Sequence, residues 1–296
     1  MGIGQKELEK HSILALDSLY LRPLQGEMKR LTILFFSFLS IATFGQLSEF
    51  GLGGGGTNFI GDVGNYGFYA PQRWYAVGEF RHQFDEHYAI RASGSYGQIY
   101  ANDAQSSLDY RNDRNYEFRS NIFEAAVMME FNFLPYITGS KTKGHSSYLF
   151  GGIGLFTFNP QGKYNGDWVD LQPLSTEGQG TSLAQLTPYG RTGFSLPFGM
   201  GYRVSLGKDI SMAFEVGFRT TSTDYLDDVS HKYVDPTLLA QEKGEVAGYF
   251  ADRSLSSSDK TSTDRGNSLT NDWYVFTGIK FFFAITPKKE RCKRFR

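Results

Sequence analysis

The chain has a single cysteine and almost no net charge, and both scarcities limit what it can be. One cysteine in 296 residues leaves no internal partner for a disulfide. A formal net charge of −1 gives no sign of the basic surface on which nucleic-acid binding depends. A mean hydropathy of −0.35 excludes a bundle of transmembrane helices. Aromatics are abundant, at 16%, and there are 34 glycines, which is typical of all-β chains and of outer-membrane barrels especially.

Long apolar runs are also scarce, and the one at residues 31–44 is too short to cross a bilayer as a helix. Lys29 and Arg30 precede it, and the small residues Thr43 and Gly45 follow in the positions that a signal peptidase requires. This order of features predicts a signal peptide rather than a buried core helix. Residues 1–27 are predicted to be an upstream extension that results from a start site assigned too early. The rest of the chain is predicted to be a signal peptide at 28–45, a barrel at 46–283 and a basic tail at 284–296.

The clearest structural pattern is an amphipathic β-hairpin at residues 194–220. Large apolar side chains occupy every second position from 194 to 206 and again from 210 to 218. Small, polar or charged residues fill the positions between them, and Gly207 and Asp209 bound a tight turn. Side chains alternate faces along a strand, so one face of this hairpin is apolar over a length that suits a bilayer.

Similar segments recur along the chain and predict an all-β fold, an eight-stranded antiparallel up-and-down transmembrane β-barrel. The connections after the second, fourth and sixth strands are short, and the others are long, which is the plan of outer-membrane barrels with periplasmic turns and extracellular loops. Both termini would then be periplasmic. The predicted strands are 48–59, 73–84, 87–100, 121–134, 147–158, 194–206, 210–220 and 273–283.

Alternation also assigns charged residues to the barrel lumen, because charges facing lipid are costly. An eight-stranded barrel is filled by its own side chains, so these charges predict a paired plug rather than a pore. The fifth strand is ambiguous, since large apolar residues occupy both of its faces. The predicted lumen charges are Arg81, Arg91, Arg203, Arg219 and Lys280 against Glu79, Glu124, Glu130 and Glu215.

Two patterns suggest ligand chemistry only weakly. The glycines at 51–56 contain the spacings of a dinucleotide-binding loop, but no helix is predicted after them, which favours a bent or closely packed first strand. His82 and His87 flank a turn with two acids and could bind a metal, although turn residues are usually only solvated. We therefore expect no cofactor and no metal.

The last long loop carries a dense set of polar residues after the seventh strand. A histidine near serine and acids permits a hydrolase at the barrel rim, although spacing within a loop does not establish geometry. Solvated loop charge or a partner-binding patch is the simpler interpretation. The residues are Asp224, Tyr225, Asp227, Asp228, Ser230, His231, Tyr233 and Asp235.

Beyond the last strand, the lone cysteine lies in a basic tail. An unpaired cysteine in an exported chain raises the prospect of an intermolecular disulfide, and neighbouring cations favour its thiolate. An inert thiol is the alternative. The basic charge could meet anionic lipid or an acidic periplasmic protein. The candidate partner-binding residues are Lys288, Lys289, Arg291, Cys292, Lys293 and Arg294.

Two stretches of sequence resemble those of the PorG-like outer-membrane barrels. Residues 53–62, GGGGTNFIGD, resemble that family's opening motif and include Asn58, Gly61 and Asp62. Residues 218–230, FRTTSTDYLDDVS, with Tyr233 and Asp235, resemble its longer and more specific motif.

The resemblance implies a non-enzymatic barrel of the type IX protein secretion system of Bacteroidota. Members of that family are associated with a periplasmic ring made of a lipoprotein and a partner subunit. We therefore expect an outer-membrane location, contact with that ring and no nucleic acid. A rim hydrolase that uses the loop from Asp224 to Asp235, and a small passive porin, are the alternatives.

Overall fold

The computed structural model describes residues 47–65 and 70–285, and its backbone is dominated by nine β-strands. The predicted signal peptide, the upstream extension and the tail from residue 286 lie outside the described residues. The strands are β1 (Leu47–Ile60), β2 (Arg73–Gln83), β3 (Tyr88–Asn102), β4 (Glu117–Asn132), β5 (His145–Tyr164), β6 (Asp167–Asp170), β7 (Thr192–Ser205), β8 (Ile210–Thr221) and β9 (Trp273–Ile285).

Eight of these strands close into an antiparallel barrel, which confirms the predicted fold class. Each strand pairs with the next along the chain, except that β5 passes over β6 to pair with β7. The barrel closes where β1 pairs with β9, with Gly53 opposite Lys280. Short β6 pairs with the far end of β5 and extends that hairpin beyond the wall.

The glycines of β1 allow a close approach at the closing seam. A Cβ at Gly53 would lie 2.6 Å from the Ile279 backbone oxygen of β9. No side chain fits in that space, so glycine is required for the two strands to pair this tightly. The glycine run therefore allows β1 to pack closely against β9.

The outer face of the barrel is a belt of large apolar side chains. On β4, Phe123, Val127 and Met129 are each about half exposed, while Glu124 and Glu130 between them are buried. On the ambiguous β5, pairing with β4 places Leu149, Ile153 and Leu155 outside, and turns Tyr148, Phe150 and Phe156 into the lumen. An exposed apolar belt on a closed barrel is the surface that meets lipid hydrocarbon.

The long connections all leave the same end of the barrel and fold over it as a cap. They contain three short helices that alternation did not predict, α1 (Asp109–Arg114), α2 (Pro236–Lys243) and α3 (Glu245–Ala251). One aromatic and aliphatic cluster joins the cap to the upper lumen, with Leu226, Val229 and Phe250 packed in the same core as Phe118 and Tyr274. Within the described ranges, no helix is long and apolar enough to span a membrane.

Candidate functional site

The lumen at mid-height holds ion pairs between side chains from opposing strands. Glu130 lies 2.6 Å from Arg81, 3.0 Å from Arg203 and 3.1 Å from Arg91. Arg81 also contacts Glu49 at 2.8 Å. All five side chains are at most 1% exposed. Buried charges are tolerated only when they are paired and hydrogen-bonded, so this network occupies the lumen in a defined arrangement.

A second group of charges joins the first through Arg91. Glu215 accepts hydrogen bonds from Arg91 at 2.6 Å, from Lys280 at 2.7 Å and from the Tyr148 hydroxyl at 3.0 Å. Lys280 also donates to Glu79 at 2.7 Å. The pairing continues from β2 and β3 across the lumen to β8 and β9.

The third group lies closer to the cap and is centred on Glu124. Its carboxylate accepts from Tyr274 at 2.6 Å, from Ser195 at 2.9 Å and from Arg219 at 3.4 Å. Among the described charges, the lumen therefore contains five cations and five carboxylates. All ten side chains are buried from solvent. Of these charges, only Glu49 was not predicted, although the outward-facing Phe50 and Leu52 set the phase of β1 and place Glu49 on the inner face.

The motif loop after β8 is folded into the cap and is not a solvated surface loop. Leu226, Asp227, Asp228 and Val229 are 0% exposed, and Asp224 is 9% exposed. The interpretation of this segment as solvated loop charge was therefore wrong. Alternation could not reveal the burial, because the partners of these carboxylates come from distant loops.

Asp228 has a strained backbone that its side-chain partners hold in place. Its φ of 67° lies in the left-handed region, which costs free energy for any residue with a Cβ. Its carboxylate accepts hydrogen bonds from the Thr176 hydroxyl and the Tyr189 hydroxyl, both at 2.5 Å. Burial raises the pKa of Asp228 to about 6.

Arg265 connects the Asp228 backbone to a second loop. Its Nη1 donates to the Asp228 backbone oxygen at 2.9 Å, to Thr176 Oγ1 at 2.9 Å and to Glu177 Oε1 at 3.2 Å. Glu177 in turn accepts from the backbone N–H groups of Ser230 at 2.8 Å and His231 at 3.1 Å. We call Thr176, Glu177, Asp228 and Arg265 the cap latch. Of these four residues, only Asp228 lies in a motif that the sequence singles out.

The two motifs that resemble the PorG-like family face each other across the cap. Asp62, of the first motif, accepts from the backbone N–H of Asn267 at 2.6 Å, and its backbone oxygen accepts from Arg114 at 2.6 Å. Arg114 also donates to the Arg265 backbone oxygen at 2.7 Å, which links the first motif to the latch. The two motifs are thus joined within the cap through Arg114.

The other two residues of the first motif also fix backbone positions. The Asn58 side-chain amide donates to the Ala70 backbone oxygen at 2.7 Å, next to the β1–β2 loop. Gly61 lies where any Cβ would collide with the Asp272 carboxylate. Asp272 holds the second motif, because its Oδ2 accepts from the Leu226 backbone N–H at 2.9 Å.

Four carboxyl groups are gathered beneath the cap, from Asp62, Asp224, Asp227 and Asp272. Burial raises the pKa of every one of them, and that of Asp224 reaches about 8. Mutual repulsion raises the pKa values of Asp227 and Asp272 further, while Arg114 opposes the rise at Asp62 and Asp227. The Asp224 carboxyl therefore retains its proton at neutral pH.

The cap is expected to lose stability as pH rises. A carboxyl whose folded pKa lies above its unfolded value stabilises the fold at low pH, and that stability is lost as pH rises through the folded value. For Asp224 this window runs from the ordinary 3.8 to about 8. Amide-exchange protection factors of residues 225–229 should fall across it, and Asp224→Asn should flatten the fall. Asp259→Asn, an exposed control, should leave the profile unchanged; identical profiles for Asp224→Asn and the wild type would contradict the assignment.

The remaining polar residues of the second motif also have structural partners. Asp235 caps α2, because its carboxylate accepts from the backbone N–H groups of Thr237 at 2.8 Å and Leu238 at 3.1 Å. The Tyr225 ring stacks on Tyr189 with centroids 4.4 Å apart. Tyr233 is 6% exposed and lies beneath Lys260.

His231 is the one residue of this loop with a hydrolase-like contact. Its Nδ1 lies 2.8 Å from Ser230 Oγ, 3.0 Å from the Tyr225 hydroxyl and 3.9 Å from Glu177. In a catalytic triad, the serine and the acid contact different ring nitrogens, whereas here all three groups approach Nδ1. Ser230 is also only 1% exposed, so its hydroxyl is closed to a substrate.

The predicted tail site lies outside the described residues, and with it Lys288, Lys289, Arg291, Cys292, Lys293 and Arg294. The two candidate metal-ligating histidines make ordinary hydrogen bonds. His82 contacts Ser48 at 2.9 Å, and His87 contacts the Asn132 backbone oxygen at 2.8 Å. In the part of the chain that the structure covers, no group of three or more His, Cys, Asp or Glu side chains is arranged to hold a metal ion.

Comparison with solved structures finds small outer-membrane barrels. Ail, the attachment invasion locus protein of Yersinia pestis, is 10% identical with a TM-score of 0.36, over 81% of this chain and 98% of that one. Neisserial surface protein A is 7% identical with a TM-score of 0.36, over 81% and 98%. The N-terminal β-barrel domain of Pseudomonas aeruginosa OprF is 8% identical with a TM-score of 0.32, over 80% and 97%.

No curated protein matches the chain. One family model does, and it carries the description "Domain of unknown function (DUF6089)". The match runs from residue 28 to residue 240, which includes seven of the eight barrel strands and both motifs. It covers well over half of the sequence, and the chain therefore belongs to the DUF6089 family.

Proposed function

We propose that this chain is a non-enzymatic structural component of the type IX protein secretion system, seated in the outer membrane. Its long loops would face the outside, and its short turns and both termini would face the periplasm. The basic tail, with Cys292, would contact the lipoprotein of the periplasmic ring and its partner subunit. The resemblance of residues 53–62 and 218–235 to the PorG-like barrels is the reason to name this machine.

The observation that carries a structural function is the filled interior. The charged side chains of the lumen are at most 4% exposed. They form ion pairs with one another, which include Arg81 with Glu49 and Arg219 with Glu124. The cap latch then covers the barrel end where the long loops emerge. A barrel that is plugged and capped is suited to anchoring other proteins, and both features weigh against a passive porin.

The burial of the second motif supports the same function. Asp227 and Asp228 are buried inside the cap, and Asp235 caps the N-terminus of α2. The motif thus has a structural reason to be specific that requires no substrate. The closed Ser230 hydroxyl and the crowded Nδ1 of His231 weigh against a rim hydrolase.

Removal of the tail charge should release the ring. We expect a full-length chain in which Lys288, Lys289, Arg291, Lys293 and Arg294 are changed to glutamine to lose most of the co-purifying periplasmic lipoprotein, because each ion pair with the partner that is lost contributes up to about 1 kcal/mol. The measurement is affinity purification from native outer membranes, with quantitative mass spectrometry. A variant with Lys141→Gln and Lys208→Gln, in two short-turn loops, is the matched control.

The Cys292→Ser variant distinguishes a disulfide between the tail and its periplasmic partner from a purely electrostatic contact. If Cys292 forms a mixed disulfide, non-reducing gels of the wild type should contain a larger species that the serine variant lacks. Undiminished recovery of the lipoprotein by the glutamine variant would overturn the anchoring function. Recovery of no lipoprotein by the wild type would do the same.

A further inference from the structure

A groove of about 390 Å³ lies in the outer wall of the barrel, across β3, β4 and β5, and ends against Phe194 of β7. Its floor is low because the outward-facing side chains there are small, Ala92 on β3 and Ala125 on β4. Its sides are high because Ile153 and Phe194 beside them are each 68% exposed. We call this depression in the apolar belt the outer groove.

The position of the outer groove indicates that hydrocarbon fills it. Its neighbours on the outer face of β4, Phe123 and Val127, belong to the belt that meets lipid. The lining is apolar apart from Ser93, so water would find few hydrogen-bond partners there, and a void would forfeit packing contacts. An acyl chain of the surrounding bilayer supplies those contacts. The groove is thus continuous with the lipid interface of the barrel.

Polar side chains replace the belt above the outer groove, toward the long loops. From the groove upward, the outer face of β4 presents Ala125, Phe123, Asn121 and Arg119. Tyr96, opposite Phe123 on β3, is an aromatic of the kind that marks the membrane interface. Four to six residues separate Ala125 from the polar side chains, which is about 13–20 Å along a strand and about 10–15 Å in height for a tilted one. The polar level therefore lies where lipid head groups begin.

Three arginines lie at this level, and within the described ranges none of them forms an ion pair. Each is held by a side-chain amide, in the pairs Arg73 with Gln98 at 3.2 Å, Arg119 with Gln161 at 2.8 Å and Arg191 with Asn159 at 2.9 Å. Arg119 also lies over the Trp168 ring, 4.4 Å from its centroid. These contacts fix the guanidinium groups without neutralising them.

The acids on this wall have other partners. Asp170 accepts hydrogen bonds from two side-chain amides, at 2.7 and 2.9 Å. Glu117 lies close enough to Arg253 for their charges to interact. Lys163 and Asp167 are both exposed near the tip of the β5–β6 hairpin and contribute no net charge. The three arginines thus outnumber the one acid that remains, and this wall has an excess of positive charge.

We propose that this wall binds an anionic membrane lipid that carries phosphate, with the phosphate at Arg119 and Arg191 and one acyl chain in the outer groove. Arginine presents paired N–H donors that match phosphate oxygens. Arg119 is on the same strand as Ala125, and Arg191 directly precedes the strand of Phe194, so one lipid molecule spans both features. The inference rests on the membrane seating in the proposed function and is independent of the secretion role.

The test is photo-crosslinking of the full chain in phosphatidylcholine nanodiscs that contain a small, equal fraction of one of two probes. The probes are phosphatidic acid and phosphatidylcholine, each with a diazirine in one acyl chain, and labelled peptides are identified by mass spectrometry. The phosphatidic acid probe should label residues 92–94, 123–127 and 153–155 about tenfold more than the phosphatidylcholine probe, because the arginines attract its charge. At residues 279–283 of β9, elsewhere on the belt, the two probes should label equally.

Two variants address the head group and the acyl chain separately. Arg119→Gln with Arg191→Gln should lower labelling by the phosphatidic acid probe to that of the phosphatidylcholine probe. Lys141→Gln with Lys208→Gln, exposed in two short turns, is the matched control and should keep the preference. Ala125→Phe fills the outer groove and should reduce its labelling by phosphatidic acid about fivefold. Ala76→Phe, at an outward-facing alanine of β2, is its control and should have no effect.

Three results would overturn the lipid site. The first is equal labelling of the outer groove by the two probes, and the second is a preference that survives the double arginine variant. The third is labelling of β9 without labelling of the groove, which would mean that another chain covers it. All three leave the membrane seating intact, whereas absence of labelling anywhere on the belt would overturn the seating together with the lipid site.

Discussion

Replacement of Glu130 by glutamine is expected to lower the free energy of unfolding by about 3–5 kcal/mol. The amide keeps the shape of the carboxylate but removes the negative charge that Arg81, Arg91 and Arg203 share. Arg81 retains Glu49, and Arg91 retains Glu215. Arg203 has only Glu130 among the described ion pairs, so its buried charge is left without a partner.

The measurement is reversible urea unfolding of the barrel in lipid vesicles, followed by tryptophan fluorescence. Glu86→Gln is the matched control, because Glu86 pairs with Lys143 at 2.5 Å with both side chains about 40% exposed. An exposed pair of this kind contributes at most about 1 kcal/mol. If both variants lost the same small amount, the lumen network would contribute no more than a surface pair.

The barrel could be predicted from the sequence because its information is local and periodic. On β4, Phe123 and Glu124 fall on opposite faces simply because they are neighbours in a strand. Alternation failed where both faces are apolar. On β5, Phe156 lies opposite Glu124 and turns inward to join an aromatic layer, which only the pairing of β4 with β5 reveals.

The cap could not be predicted, because its contacts join residues far apart in sequence. Glu177 meets Ser230 and Arg265 through loops without periodicity, so no pattern in the sequence predicts the latch. One local signal was available and was missed. Asp235 followed by Pro236 begins α2, and Gly244 ends it, which is the usual sequence signature of a helix start and stop.

The cap latch itself leads to the second large effect, because a single cation holds two loops. Arg265→Met keeps the aliphatic stem but leaves Glu177 and Asp228 buried without their cation. The expected loss in the free energy of cap opening is about 3 kcal/mol, so amide exchange in residues 175–180 and 225–231 should accelerate about a hundredfold. The barrel strands keep their own ion pairs and should exchange as in the wild type.

Hydrogen–deuterium exchange followed by mass spectrometry, in lipid nanodiscs, resolves the two regions. Arg191→Met is the matched control, since Arg191 is exposed and donates to Asn159 at 2.9 Å. It should change exchange in the cap less than about threefold, as expected for a surface hydrogen bond. If Arg265→Met accelerated exchange equally in β4 and β9, the cap and barrel would unfold as one unit. A local acceleration instead means that the cap can open while the lumen network keeps the barrel closed beneath it.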